Sequence, residues 1–234
     1  MIELDFFMTE LQRSDCKLYG RILDLGSSFP KDFPHLFYSN IIFQEYIAVD
    51  KDSWLYVKER LSFCLRDQFP CLNQEQILSL IGPCKEFDIG EFHRALMFYF
   101  FANYKNKCVP PLERIENKIT SKFDTFITSY IEEIKDEEFI SFDLILASKA
   151  LSHIENSKIK MNCISTLYDK LNPKGLLFLK LNVRGLEGIT ESRAPSLFDE
   201  GEISEIKSLF KTGFKSNKIM ENGIEFQCII AQKE

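Results

Sequence analysis

Short apolar runs alternate with amphipathic segments along most of this chain. The apolar runs predict strands at 21–26, 46–50, 124–130, 142–147, 176–181, 214–220 and 224–232. Apolar positions at helical spacing predict helices at 1–19, 34–44, 52–66, 154–171 and 200–211. Strands that alternate with helices form parallel sheets with helices on both faces. The pattern therefore predicts an α/β fold with a doubly wound, mostly parallel sheet of seven strands.

Two turn signals refine this prediction. The last two strands are joined by Asn222-Gly223, a dipeptide typical of a two-residue hairpin. We therefore expect the sheet to end in an antiparallel hairpin. A second turn is predicted at 172–175, which reads Asn-Pro-Lys-Gly just before the fifth strand.

Residues 67–122 interrupt the alternation, and we predict a helical insertion there, with helices near 73–81, 90–105 and 112–122. Residues 1–66 and 123–234 then form the sheet domain. The segment 92–102 is apolar around most of its helix, and such a helix is buried against something. It either packs on the sheet domain, covers a substrate pocket as a lid, or forms a homodimer surface.

Composition and charge narrow the classes of partner. The chain has 234 residues, of which 45% are hydrophobic, so it can bury a sizeable core. Its net charge of −6 argues against a nucleic acid partner, because backbone phosphates are bound by concentrated basic surfaces. A small molecule is the better expectation. Seven scattered cysteines, the acidic start and the shortness of the longest apolar run, 95–102, predict a cytoplasmic protein without a membrane span.

Two predicted strands end in residues suited to ligand binding. The first ends in Asp24-Leu25-Gly26 and the second in Asp50. In open α/β sheets, ligands bind outside the carboxyl ends of the strands, and an acid after the second strand can hold both hydroxyls of a ribose. Asp50 is the candidate for that role, with a merely solvated carboxylate as the alternative. A glycine lets the backbone approach a ligand closely, so we expect a side chain at Gly26 to abolish binding at modest cost in stability.

With these residues in place, the chain resembles the class I S-adenosylmethionine-dependent methyltransferases. The resemblance rests on five segments that follow the family's order: 22–28, 47–50, 142–154, 171–177 and 213–234. It covers roughly 20–66 and 123–234. The resemblance implies the family's Rossmann-like fold, its cofactor S-adenosylmethionine and a methyl transfer reaction.

The resemblance also implies which residues meet the cofactor. The loop after the first strand would face its methionine part, the end of the second strand its ribose, the end of the third its adenine, and the end of the fourth its sulfonium. Asp24 would organise the backbone amides of the first loop. The implied cofactor-binding residues are Asp24, Gly26, Ser27, Ser28, Asp50, Lys51, Tyr130, Ile131, Ala147 and Ser148.

Two positions depart from the family's pattern. The family's first loop usually carries several glycines, whereas this loop has Gly26 alone. Tyr130 stands where the family usually has an acidic residue beside the adenine, although a tyrosine can stack on the base. These departures keep a second hypothesis open, a catalytically idle relative that serves as an interaction module.

Three further residues are candidates for contact with the substrate. His153 follows the fourth strand, where the family often places a substrate-facing residue, and a histidine there can act as a general base at neutral pH. The alternative is a histidine that only packs at the start of a helix. Arg184 and Arg193 follow the fifth strand and can bind an anionic group of the substrate, although surface arginines are common.

Lys180 interrupts the apolar fifth strand. The FtsJ-like ribose methyltransferases have a catalytic lysine at a comparable place, which keeps a nucleic-acid methyltransferase as a less favoured alternative. They also need an aspartate at the end of the fourth strand, where this chain has Lys149-Ala150. The structural alternative is a lysine that reaches solvent from the strand end.

Two other chemistries are disfavoured. The spacings of Cys71, Cys84, His93 and Cys108 match none of the usual zinc patterns, so no metal is expected. The G-x-G-x-x-G fingerprint of dinucleotide-dependent oxidoreductases is missing after the first strand. The leading hypothesis is methyl transfer from S-adenosylmethionine to a small-molecule acceptor.

Overall fold

The computed structural model of the chain describes residues 20–26, 43–66, 70–82, 119–131, 141–183, 197–210, 214–221 and 224–234. Several predicted helices lie outside these residues: the helix at 1–19, the helix at 34–44 up to residue 42, the helix at 90–105, and residues 112–118 of the last insertion helix.

A sheet of seven strands forms the centre of the described residues. The strands are β1 (Arg21–Leu25), β2 (Phe43–Asp50), β3 (Ile119–Thr128), β4 (Phe142–Ser148), β5 (Leu171–Asn182), β6 (Phe214–Glu221) and β7 (Ile224–Gln232). Their spatial order is β3-β2-β1-β4-β5-β7-β6. The first five strands pair in parallel, and β7 is antiparallel to both β5 and β6. The predicted fold class, including the terminal hairpin, is confirmed.

Four α-helices and one short 3₁₀ helix accompany the described strands. They are α1 (Trp54–Arg66), α2 (Gln74–Ile81), the 3₁₀ helix (Ala150–His153), α3 (Ser157–Asp169) and α4 (Glu200–Leu209). Asn73 begins α2 with a capping box, in which its side chain accepts from the backbone of Gln76 while the Gln76 side chain accepts from the Asn73 backbone. None of the helices in the described part of the chain has the length and apolar character needed to span a bilayer.

Alternating side chains divide the central strands into two faces. Leu23, Ile145 and Leu179 lie on the face that packs against the apolar sides of α3 and α4, in one core cluster. Asp24 and Lys180 lie on the opposite face and are 0% and 2% exposed. Because β1, β2, β3 and β4 run in parallel, their carboxyl ends meet at one edge of the sheet. The buried residues on both faces give a site at that edge a rigid base.

Two strands begin earlier than the sequence predicts, because strand pairing extends further than the local pattern indicates. β3 begins at Ile119, opposite Phe43 of β2, so residues 119–122 belong to the sheet and not to an insertion helix. β2 begins at Phe43, so residues 43–44 are strand and not the end of a helix. The rest of the insertion stays a prediction, although its described helix, Gln74–Ile81, lies where helix 73–81 was expected.

The turn predicted at 172–175 is instead an irregularity inside β5. Phe142 pairs with Leu171 and Leu144 with Leu176, so extra residues bulge out of the strand between these pairs. Lys174 takes the left-handed conformation there, with φ of 66°. The helix predicted from 154 begins only at Ser157, because the 3₁₀ helix precedes it and Asn156 caps it.

Candidate functional site

A cavity of about 550 Å³ opens at the carboxyl ends of the parallel strands. This size is within the usual range for small-molecule sites, about 300–1,000 Å³. The cavity is lined by Gly26, Asp50, Lys51, Asp52, Tyr56, Arg60, Ser129, Tyr130, Ile131, Ala150, His153 and Ile154. The site thus brings together residues at or just after the ends of β1, β2 and β3 with residues of α1 and of the 3₁₀ helix.

Gly26 ends β1 in a conformation and a contact that need a glycine. Its φ is +64°, and its backbone N–H donates to the carbonyl of Val49 at 2.8 Å. An added Cβ would lie 2.5 Å from the Cβ and 2.9 Å from the Cα of Ala150. The space beside Gly26 is therefore filled by the 3₁₀ helix, so a side chain there would disturb the fold as well as any ligand. This corrects the expectation that such a change costs little stability.

Asp50 is the buried acid of the site, 5% exposed at the end of β2. Its Oδ1 accepts the backbone N–H of Asp52 at 2.9 Å, and its carbonyl accepts the N–H of Ser129 at 2.8 Å. Burial raises the pKa of Asp50 above the ordinary 3.8, and the nearby Asp52 carboxylate raises it further. The Asp52 hydrogen bond and the charges of Arg60 and Lys51 lower the pKa in part.

We expect Asp50→Asn to stabilise the fold at neutral pH. The pKa of Asp50 is raised, so the folded chain holds the proton more tightly than the unfolded chain. The carboxylate therefore lowers the free energy of unfolding as pH rises through that pKa, while asparagine keeps the oxygen that accepts from Asp52. The gain should be about 0.5–2 kcal/mol at pH 7, as is common when an unfavourable functional group is replaced. Urea unfolding at pH 4 and pH 7 tests this, and a gain that does not grow with pH would contradict it.

A wall of the cavity comes from the start of α1 and was not predicted from the sequence. Nη1 of Arg60 donates to Oδ2 of Asp52 at 3.3 Å, and the guanidinium lies 5.9 Å from the centre of the Tyr56 ring. Tyr56 is 48% exposed. The sequence does contain a signal for this cluster. Positions 52, 56 and 60 are four residues apart, so they lie on one side of a helix and of the residues just before it.

A second part of the lining comes from the residues that follow β3. Tyr130, 57% exposed, and Ile131 both line the cavity, in the region where the sequence placed the adenine contacts. Ser129 was not predicted as a site residue, and its hydroxyl donates to the carbonyl of Tyr130 at 3.2 Å. An exposed aromatic ring at a cavity wall offers a stacking surface for a flat ligand group.

The 3₁₀ helix after β4 supplies the remaining wall. His153 ends this helix, is exposed and lines the cavity, as a substrate-facing residue must. Ala150 and Ile154 also line it and were not predicted. The helix is preceded by Lys149 with φ of 64°, whose backbone N–H donates to the carbonyl of Lys180 at 2.9 Å. This bond fixes the start of the helix against β5.

Other predicted site residues are placed differently. Asp24 and Ala147 are fully buried, Ala147 in the core beneath α3, and neither lines the cavity. The pleat of β4 explains the position of Ala147, because this residue falls on the face turned towards the core. Ser148 pairs with Lys180 and does not line the cavity either.

Four predicted site residues lie outside the described part of the chain: Ser27, Ser28, Arg184 and Arg193. The same holds for three of the four potential zinc ligands, Cys84, His93 and Cys108. Within the described ranges, no three His, Cys, Asp or Glu side chains are grouped as a metal site.

Lys180 does not reach solvent, which corrects one of its two interpretations. It is 2% exposed, and its ammonium group lies 4.5 Å from the centre of the Phe226 ring. The ammonium of Lys149 lies 4.6 Å from the same centre. Neither lysine lines the cavity. A cation over an aromatic face is attracted by the ring's charge distribution. This interaction helps to hold both lysine side chains against Phe226 of β7.

Comparisons with known proteins support the fold. No protein-family model matches the chain, and no curated protein matches its sequence. Its structure is similar to that of Burkholderia thailandensis 1,6-didemethyltoxoflavin-N1-methyltransferase with bound S-adenosylhomocysteine, with a TM-score of 0.50 and 13% identity over 99% of this chain and 76% of that one.

Two other solved structures are also similar. A putative O-methyltransferase from Nostoc punctiforme has a TM-score of 0.52 and 13% identity over 98% of this chain and 56% of its own. The small RNA methyltransferase HEN1 has a TM-score of 0.56 and 12% identity over 99% of this chain and 25% of its own. The chain thus spans only about half and a quarter of these two proteins. Sheet order, terminal hairpin and these likenesses agree that the chain has the fold of the class I S-adenosylmethionine-dependent methyltransferases.

Proposed function

We propose that this chain binds S-adenosylmethionine in the cavity and transfers its methyl group to a small-molecule acceptor. The observation that carries the proposal is the convergence of Gly26, Asp50, Tyr130 and His153 on one cavity at the carboxyl ends of the strands. In sheets of this type, that edge is where ligands bind. The chain's fold is the one in which this chemistry recurs among its structural neighbours.

The residues present fit the nucleoside part of the cofactor. Asp50 is ionisable, buried and already held by the Asp52 N–H, so its carboxylate is oriented before a ligand arrives. A carboxylate so placed can accept hydrogen bonds from both ribose hydroxyls. The exposed ring of Tyr130 can stack on the adenine, and Lys51 also lines the cavity. Gly26 lines the cavity and lies against Ala150.

The bound cofactor supplies an electrophilic methyl group on a positively charged sulfur. That methyl group would pass to a lone pair of the acceptor, and the cofactor's sulfur would be left as a neutral thioether. An acceptor that carries a proton must lose it, and His153 is the exposed base in the cavity wall that can take it. Alignment of acceptor, methyl and sulfur contributes much of the rate enhancement in such a transfer.

The small-molecule acceptor is favoured by charge. One structural neighbour acts on 1,6-didemethyltoxoflavin and another on small RNA, so the neighbours alone leave the acceptor open. The net charge of −6 favours the small molecule, because RNA binding draws on clustered cations. Binding of an anionic acceptor group by Arg184 and Arg193, a homodimer through the insertion, and a cytoplasmic location stay predictions.

Calorimetric titration with S-adenosylhomocysteine tests the proposal. We expect saturable binding with a Kd below about 1 mM, the upper end of the usual range for substrates. Incubation with methyl-labelled S-adenosylmethionine and the small-molecule or RNA fraction of a cell extract then identifies the acceptor class. Label in the RNA fraction alone would refute the small-molecule acceptor. Absence of binding at every pH would refute the proposal that the chain uses this cofactor, and would favour an idle interaction module. The tight packing of Gly26 on Ala150 is compatible with that alternative.

A further inference from the structure

We propose that Arg60 is a positioning residue of this site, which acts on Asp50 through Asp52 and keeps the Asp50 carboxylate charged and correctly oriented. For its role in ligand binding, this inference rests on the proposed function. It assigns a task to a surface arginine of α1 that contacts the cavity but lies beyond the residues singled out for the cofactor.

A continuous set of contacts links the two residues. The backbone N–H of Asp52 donates to Oδ1 of Asp50 at 2.9 Å. The side chain of the same Asp52 accepts from Nη1 of Arg60 at 3.3 Å. Arg60 in turn lies over the ring of Tyr56, one helical turn before it, with 5.9 Å from guanidinium carbon to ring centre. The position of Asp52, and with it the hydrogen bond to Asp50, is thus fixed from α1.

The charges near Asp50 come from several elements. Its own loop supplies Lys51 and Asp52, and α1 supplies Arg60 and the phenol of Tyr56. The remaining polar and titratable groups facing the cavity are Ser129 and Tyr130 after β3 and His153 on the 3₁₀ helix. Among the described residues that line the cavity, Asp52 is therefore the acid whose charge opposes ionisation of Asp50.

The arrangement resolves a conflict between burial and charge. Asp50 is buried, which favours its neutral form, and a second carboxylate two residues away favours that form further. Arg60 offsets the charge of Asp52 and leaves the Asp52 N–H in place as a donor to Asp50. The cavity therefore keeps an ionised acceptor for a pair of ligand hydroxyls although the acid is largely removed from water.

Titration of the Asp50 carboxyl by carbon-13 NMR in the ligand-free protein tests this directly. In Arg60→Gln the pKa of Asp50 should rise, because the charge of Asp52 is no longer offset. In Asp52→Asn the pKa should fall, because the backbone N–H remains while the carboxylate is gone. The double variant should return close to the wild type, and Arg60→Lys should preserve most of the effect of the arginine. These opposite signs distinguish a charge effect from general loosening of α1.

Arg66→Gln is the matched control. Arg66 lies on the same helix, also 5.9 Å from an exposed aromatic ring, that of Phe63, but it does not line the cavity. Its replacement should leave the pKa of Asp50 unchanged. Circular dichroism of each variant confirms that the helices are retained, since glutamine is a good helix former at an exposed position.

The binding arm measures affinity for S-adenosylhomocysteine at pH 5 and pH 8. Arg60→Gln should bind about two- to fivefold more weakly than the wild type, the range expected for a partly exposed charge pair, with the greater loss at pH 5. An unchanged Asp50 pKa in Arg60→Gln, or shifts of the same sign in Arg60→Gln and Asp52→Asn, would overturn the inference. Absence of binding by the wild type would instead overturn the proposed function, because the NMR titration needs no ligand.

Discussion

Gly26→Ala should destabilise the fold by roughly 2–5 kcal/mol. A left-handed backbone costs a residue with a Cβ about 1–2 kcal/mol, and Gly26 has φ of +64°. Forcing an extra methyl into a packed contact costs about 1–3 kcal/mol more, and here the methyl would lie 2.5 Å from the Cβ of Ala150. Since domains are typically stable by only about 5–15 kcal/mol, this is a large share of the total.

Urea unfolding of Gly26→Ala, Ala150→Gly and the double variant measures the contact. Removing the Cβ of Ala150 relieves the closer clash. The double variant should therefore lose less unfolding free energy than the sum of the losses in the two single variants. The Cα of Ala150, 2.9 Å from the added carbon, keeps the relief incomplete. A Gly26→Ala protein as stable as the wild type would show that Ala150 and its helix shift freely. Ligand-binding tests at position 26 therefore need a parallel measurement of stability.

Asp50→Ala should weaken binding of S-adenosylhomocysteine by about tenfold or more. Hydrogen bonds to a charged group contribute roughly 1.5–3 kcal/mol, and alanine removes the acceptor oxygens altogether. The effect should be larger than that of Arg60→Gln, because Asp50 would touch the ligand and Arg60 acts through another residue. Calorimetry at pH 8, where Asp50 is most fully ionised, gives the cleanest comparison.

Asp169→Ala is a suitable control for this experiment. Asp169 is an exposed acid at the end of α3, so its loss changes the net charge equally without altering the cavity. Its variant should bind like the wild type. Equal affinity of Asp50→Ala and the wild type would rule out the ribose role, whereas Asp50→Asn should bind weakly even though its fold is the more stable.

The parts of this protein that local pattern predicts are those that depend on local chemistry. The apolar runs that became β1, β4 and β5 are buried on both faces, as are residues 47–50 of β2, so their composition alone marks them. A glycine follows the first of these runs and an acid ends the second, and both Gly26 and Asp50 fall at the site because parallel strands share one carboxyl edge. The helix near 73–81 and the hairpin of β6 and β7 were predicted for the same reason, since helix starts and tight turns depend on neighbours in sequence.

The tertiary structure decided what depends on distant contacts. The sequence could not show that Ala150 fills the space beside Gly26, or that Arg60 contacts Asp52 in the lining of the cavity. It also placed Lys180 in solvent as one alternative, whereas pairing with β7 buries this lysine against Phe226. The pleat turns Ala147 into the core, although Ala150, three residues further on, lines the cavity. These positions are set by register and packing between elements far apart in the chain, which hydrophobic period and residue type do not encode.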